Sequence, residues 1–436
     1  MAKDRTISRR NFLKGVAGSL VAGSILSMSE LAFAQRIVIN AMVRNYTLEG
    51  PQPYLSAVEK FKQMHPNVNV ELDGLGYSDQ RLQTLIRTGA GRGPDITQFD
   101  TIWLGEYVEG GIVIDITDMV EDWDEINDWL PPFRNSAKWP LTTGRTYGVW
   151  LNSDVRNLVW NKKMFAEAGL DPERPPQTWS ELIAVGKRLS KPPNVWGFVF
   201  PAISTDDTAD AWYPWLWQGG GEILTTDLNR AEFNSRAGID ALQLWVDHIE
   251  EGITPLDVLS GREWGDLNSA FIAGKYAMAE VVGTVFSGAV SQGFDRKSYL
   301  ETFGIGPLPL PPGGSQATGA GGWLLGITRD SKNPELAFEF IKLVMEPDNL
   351  IPFYIRHGMV PIRQAIVDRA GDFAEEFPFW DVISNLAQFA NFRPPIPEYL
   401  QISQQLVTSI QRALTGQESA EEALDRAAGR VDRMNL

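Results

Sequence analysis

The sequence predicts an α/β protein of two lobes with mainly parallel sheets, and three observations predict it. Strand-like and helix-like segments alternate over residues 36–99, the alternation resumes after Tyr147, and 436 residues are too many for one ordinary core. In the first lobe, residues 36–42 alternate and are rich in Ile and Val, as a strand requires. Leu55, Val58 and Phe61 recur at three-residue spacing between Pro53 and Pro66, which predicts an amphipathic helix with a stop at each end. Residues 68–72 form the next strand. Leu82, Leu85 and Ile86 mark a second helix that ends in the glycine-rich turn 89–93, ahead of a short strand at 95–99. Strand, helix, strand, helix, strand is the order of a largely parallel sheet.

In the second lobe, residues 157–160 are strand-like and 165–168 helical. Thr178 and Glu181 have capping-box spacing and open a helix through Leu189. Residues 195–200 form a strand, and Ile239, Leu242, Trp245 and Ile249 line a long amphipathic helix. Residues 302–310 run into Pro311-Pro312-Gly313-Gly314, a crossover or surface loop. Residues 323–328 form another strand, Asn333-Pro334 caps and starts a helix, and the polar, Ala-rich tail from Gln404 is helical.

The first 34 residues have the order of a cleavable export signal. A twin-arginine core, Ser8-Arg9-Arg10-Asn11-Phe12-Leu13-Lys14, precedes a weakly apolar stretch over 15–26 and the small-x-small site Ala32-Phe33-Ala34. The apolar stretch is too short to span a bilayer. Its features resemble those of the twin-arginine route, so the mature chain is expected in the periplasm or outside the cell. The sequence has no Cys, which excludes disulfides and a lipid-bearing Cys after the signal. Loss of five Lys/Arg and two acids with the signal takes the formal charge from −16 to about −19. That charge repels nucleic acid and anionic membrane, so a neutral partner fits better. Fifteen Trp residues point to stacking surfaces as well as core.

Residues 93–112, opening Gly93-Pro94-Asp95-Ile96, resemble the strand and following helix of extracellular sugar-binding proteins, the capture subunits of ABC importers. The resemblance is closest to trehalose and maltose binders. Further segments match in order: Tyr147-Gly148-Val149 through Asn161, Trp212 through Gly220, Ala270 through Met278, Gly321-Gly322-Trp323 through Ile327, and Arg393-Pro394 through Ser403. This family, extracellular solute-binding protein family 1, implies the type II periplasmic-binding-protein fold, with a hinge that the chain crosses more than once. On that basis residues 36–149 and 311–355 make lobe 1, and 150–310 and 356–436 make lobe 2. The expected partners are a saccharide and transmembrane permease subunits, with no cofactor or metal, for a monomer that closes its lobes on the ligand.

A pyranose needs a flat aromatic platform for its C–H face and fixed polar groups for its hydroxyl rim. Trp323 follows Gly319, Gly321 and Gly322, whose missing side chains let a ligand approach the backbone, and is the first choice of platform against the alternative of a core Trp. Asp100 lies past the C-terminal end of the Pro94-Asp95-Ile96 strand, where ligands of open α/β sheets gather, and the resemblance gives it a hydroxyl-accepting role. Asp154 holds the matching place in lobe 2, with Asn152 and Arg156 beside it. Arg393, with Tyr399 near it, resembles the family's ligand-reaching arginine; a structural salt bridge is its competing role. Asn45 and Glu49 stand in the first loop, and Trp217 is the candidate cleft residue among Trp212, Trp215 and Trp217. Where the family has an aromatic after its Gly-Lys-x-Ala-Met-like strand, this chain has Glu280-Val281-Val282-Gly283-Thr284-Val285. The cargo therefore does not transfer from the family.

Two other readings are weighed. A secreted glycoside hydrolase also combines Trp with carboxylates, but nothing singles out an acid and a nucleophile, and nucleophile-elbow, Walker and dinucleotide motifs are absent. His65, His248 and His357 lack metal spacing. The same fold with a polyamine or glycerophosphodiester cargo is the other alternative.

Overall fold

The computed structural model describes residues 36–45, 53–140, 144–260, 264–283, 285–373, 377 and 379–434. Residues 1–34, where an export signal is expected, and Glu49 lie outside the described residues. Among the described residues a nine-stranded mixed sheet forms the framework. Its strands are β1 (Ile37–Arg44), β2 (Val68–Leu75), β3 (Ile96–Asp100), β4 (Val149–Asn161), β5 (Trp196–Val199), β6 (Tyr276–Val282), β7 (Phe303–Gly306), β8 (Thr318–Ile327) and β9 (Ala390–Phe392). The order is β2-β1-β3-β8-β4-β6-β5, with β9 on β8 and β7 on β4. Pairing is parallel for β1 with β2 and β3, β5 with β6, and β8 with β9. Within this sheet, every antiparallel pair involves β4 or β8. These two strands are longer than the predicted 157–160 and 323–328, and they join the two βα-rich ends into one ladder.

The helices that matter for the site or core are α1 (Pro53–Met64), α2 (Tyr77–Gly89), α3 (Trp179–Leu189), α4 (Asp206–Gln218), α5 (Arg236–Glu250), α6 (Pro334–Val344), α7 (Tyr399–Leu414) and α8 (Ala420–Val431). Thr178 caps α3 through an N–H bond from Glu181 at 3.2 Å, while the Glu181 carboxylate takes the Gln177 N–H instead of that of Thr178. Helix α2 departs from the simple amphipathic pattern. Leu82 and Ile86 are 51% and 55% exposed, whereas Gln80, Thr84 and Thr88 are buried. Polar pairing explains the inversion at Gln80 and Thr84: Gln80 Nε2 donates to the carbonyls of Met42 and Gln98, and Thr84 Oγ1 meets Thr97 Oγ1 at 3.1 Å. Buried polar groups matched in this way avoid the desolvation cost that would push them to the surface.

Helix α5 closes the core around β5 by stacking Trp245 on Phe200, with ring centroids 3.9 Å apart. Its His248 is fully buried, 5.2 Å from the Phe198 ring, and pairs through Nδ1 with the Leu244 carbonyl at 2.7 Å. Burial lowers its pKa to about 4. The unfolded chain therefore takes up this proton below its ordinary value of about 6.5, while the native chain resists until about 4, so stability falls as pH drops through that window. We expect a contribution of about 3 kcal/mol to that acid loss. Denaturant midpoints measured from pH 7 to 4 should show a shallower decline in His248→Gln than in the wild type; equal slopes would refute the assignment.

Candidate functional site

Strand register assembles the centre of the site. On β8, Trp323 lies opposite Asp100 of β3 and opposite Asn152 of β4, while Gly321 lies opposite Asp154 and Gly322 opposite Ser153. The β4 register shifts between Trp323 and Leu324. Gly322 has φ 150°, and a Cβ there would stand 2.2 Å from the Asn152 carbonyl oxygen. At Gly321 a Cβ would meet Arg393 Nη2 at 3.1 Å and Arg156 Nη2 at 3.2 Å, so the missing side chain lets two guanidiniums pack against the strand.

An aromatic cluster surrounds Trp323, which is 9% exposed. Tyr77 and Trp103 stand nearly perpendicular to it, at 5.8 and 5.9 Å between centroids. The Arg44 guanidinium lies over the Trp323 ring at 4.9 Å and over the Tyr77 ring at 5.4 Å. Asp100 ties this cluster to the charged part of the site by accepting the Tyr77 hydroxyl at 3.0 Å.

The charged part is a buried chain of ion pairs. Arg156 donates through Nη1 to Asp154 at 2.7 Å and through Nη2 to Asp210. Arg393 reaches Asp206 at 2.5 Å, Asp210 at 3.4 Å and Asp100 at 3.5 Å, and so links β3 to α4. Asp206, in the first turn of α4, also accepts the hydroxyls of Tyr399, at 2.7 Å, and Ser403. Burial raises the Asp100 pKa, and the Arg393 charge counters it only in part. Burial pulls the other way on Arg393, but Asp210, Asp100 and Asp206 together hold its guanidinium well above the ordinary value. Behind the chain, the fully buried Glu280 accepts the Trp215 indole N–H at 2.9 Å, and its Oε1 has no hydrogen-bond partner among the described residues. Burial pushes its carboxyl well above the usual range, despite the Trp215 bond and the Arg156 charge. Four carboxylates, Asp100, Asp154, Asp206 and Asp210, stand against the two guanidiniums of the cluster.

The structure thus brings together Asp100, Asn152, Asp154, Arg156, Gly321, Gly322, Trp323, Arg393 and Tyr399 from the sequence candidates. Tyr399 is fully buried and serves Asp206. Asn45 follows β1 and is exposed. Trp217 lines a cavity of about 440 Å³ with Thr101, Ser136, Ile223, Phe392 and Arg393. In place of the family aromatic, Val281 is buried and Val285 takes a left-handed backbone with φ 49°. Sequence reasoning missed Arg44, Tyr77, Trp103, Asp206, Asp210 and Glu280. The i, i+4 spacing of Asp206 and Asp210 was readable, but acids at a helix start ordinarily serve the helix dipole.

Comparison with known proteins gives a consistent picture. The family described as bacterial extracellular solute-binding protein matches residues 47–350. A binding protein of Brucella abortus (strain 2308) is 25% identical over 431 residues, covering 96% of this chain and 98% of its own. The sn-glycerol-3-phosphate-binding periplasmic protein of Yersinia pseudotuberculosis serotype I (strain IP32953) is 26% identical over 320 residues, 66% of this chain and 67% of that protein. Among solved structures, an ABC transporter solute-binding protein from Thermotoga lettingae TMO, bound with α-D-tagatose, is similar with TM-score 0.80 and 25% identity, over 91% of this chain and 99% of that one. Maltose-bound MalE3 of T. maritima gives TM-score 0.79 and 25% identity over the same shares, 91% and 99%.

Proposed function

Because this chain belongs to the family of bacterial extracellular solute-binding proteins, we propose that it is the capture subunit of an ABC importer, a receptor that binds a neutral saccharide between two lobes and delivers it to membrane permease subunits. The carrying observation is the register on β8, which sets an indole opposite the Asp100 carboxylate on one neighbouring strand and the Asn152 amide on the other, with Asp154 two residues along from Asn152. An apolar platform beside fixed acceptors answers the two surfaces of a pyranose. The tagatose- and maltose-bound neighbours at 25% identity support a sugar as cargo. The division into residues 36–149 with 311–355 and 150–310 with 356–436 belongs to this proposal, and the passage of β4 and β8 between the two ends favours it. Closure then follows from contacts that both lobes make to the ligand only when shut, so binding shifts an open–shut equilibrium.

The proposal extends to export. Residues 1–34 act as a twin-arginine signal cut before Gln35, releasing a monomer without lipid anchor to the periplasm or cell exterior. No helix among the described residues is long and apolar enough to cross a membrane. For a phosphate-bearing cargo such as a glycerophosphodiester, the two guanidiniums of the charged cluster, Arg156 and Arg393, are each already paired with carboxylates.

Titration calorimetry of the mature chain against tagatose, maltose, longer oligosaccharides, ribitol, spermidine and sn-glycerol-3-phosphate tests the reading. One-site saturation by at least one saccharide is expected. Saturation by spermidine or the phosphate alone would overturn it.

A further inference from the structure

Resting on the saccharide reading above, we propose that Arg44 is a specificity-determining residue that competes with the ligand for the Trp323 platform. Arg44 ends β1, and its position is fixed from two sides. Its backbone N–H donates to Gln98 Oε1 at 3.0 Å, and its Nη1 donates to the Leu75 carbonyl at 3.3 Å. From there the guanidinium carbon lies 4.9 Å from the Trp323 centroid and 5.4 Å from that of Tyr77. Carbon atoms in van der Waals contact approach to about 3.5–4 Å. A pyranose stacked on this side of the indole therefore claims the volume that the guanidinium fills. Trp103 and Tyr77 pack perpendicular to the same indole, and Trp323 is nearly buried with Arg44 in place.

The physical consequence is a tax on stacking ligands. A guanidinium over an indole is held by the ring's quadrupole, so only a fraction of molecules presents an open platform. Apparent affinity falls by that fraction for every ligand that needs the platform. A solute that binds elsewhere in the cleft is not taxed. Arg44 thereby shifts selection away from ligands that must stack on the indole and toward solutes held by the polar groups of the cleft alone.

Calorimetry of the wild type, Arg44→Ala and Arg44→Gln tests this. Both variants should bind stacking saccharides more tightly, by about three- to thirty-fold, with a similar factor for each such sugar. Equal or weaker binding by both variants, with unchanged melting, would overturn the proposal and make Arg44 a bystander or a direct ligand contact. A readout without ligand separates this failure from that of the saccharide reading: acrylamide quenching of Trp emission should rise in Arg44→Ala, and the rise should vanish when Trp323→Phe is added. No rise would overturn the inference even if sugars bind.

Discussion

Replacing Trp323 with Ala is expected to weaken saccharide binding by about 2 to 4 kcal/mol, roughly 30- to 1,000-fold, the range for truncating a central aromatic anchor. The indole is the one side chain that β3 and β4 flank from both sides with candidate polar groups, Asp100 and Asn152. Its removal takes away the apolar platform and leaves those groups to hold a ligand without it. The same truncation opens a void beside Tyr77 and Trp103 and costs stability of about 3–5 kcal/mol. Trp323→Leu separates the two effects, because it fills most of the volume without a flat π face. Calorimetry and a melting curve on both variants are the measurement. Both should lose binding, and Trp323→Leu should keep most of the stability. A folded Trp323→Leu protein with wild-type affinity would show that the indole is core and not platform.

The legibility of this site follows from how its residues are held. Trp323 and Asp100 were readable because each stands at a fixed place in a strand motif, and adjacent strands must align there. Tyr77, Trp103 and Arg44 were not, since they reach Trp323 from a helix start, a short turn and a strand end that share no sequence spacing with it. Periodicity located α2 but not its inward face. Gln80 and Thr84 satisfy buried partners on β1 and β3, and Leu82 and Ile86 are left outside. Strand extent failed for a related reason. A run such as Asn152-Ser153-Asp154-Val155-Arg156-Asn157 looks too polar for a central strand, yet β4 passes the site there, and its polar side chains find buried partners. Asp206 and Asp210 belong to the same class. Their role exists only once α4 meets Arg156 and Arg393 from distant parts of the chain.

Asp210→Ala is expected to have the largest effect on stability away from the aromatic cluster. Its carboxylate is the one group that both Arg156 and Arg393 share, and all three side chains are less than a tenth exposed. Breaking a buried pair costs about 3–5 kcal/mol, because a charge taken out of water is left without its counterpart. For a folded chain of about 400 residues, an unfolding entropy of about 2.1 cal/mol/K per residue converts this to a Tm lower by roughly 4–6 °C. The exposed pair of Arg145 with Asp115 and Asp118 supplies the contrast, since Arg145→Ala should leave Tm almost unchanged. Salt should separate them as well, because buried pairs are screened far less than exposed ones. Scanning calorimetry decides: an Asp210→Ala protein that melts with the wild type would mean that Asp154, Asp206 and Asp100 satisfy both guanidiniums on their own. Asp210 would then be spare negative charge, available to a ligand instead of committed to the fold.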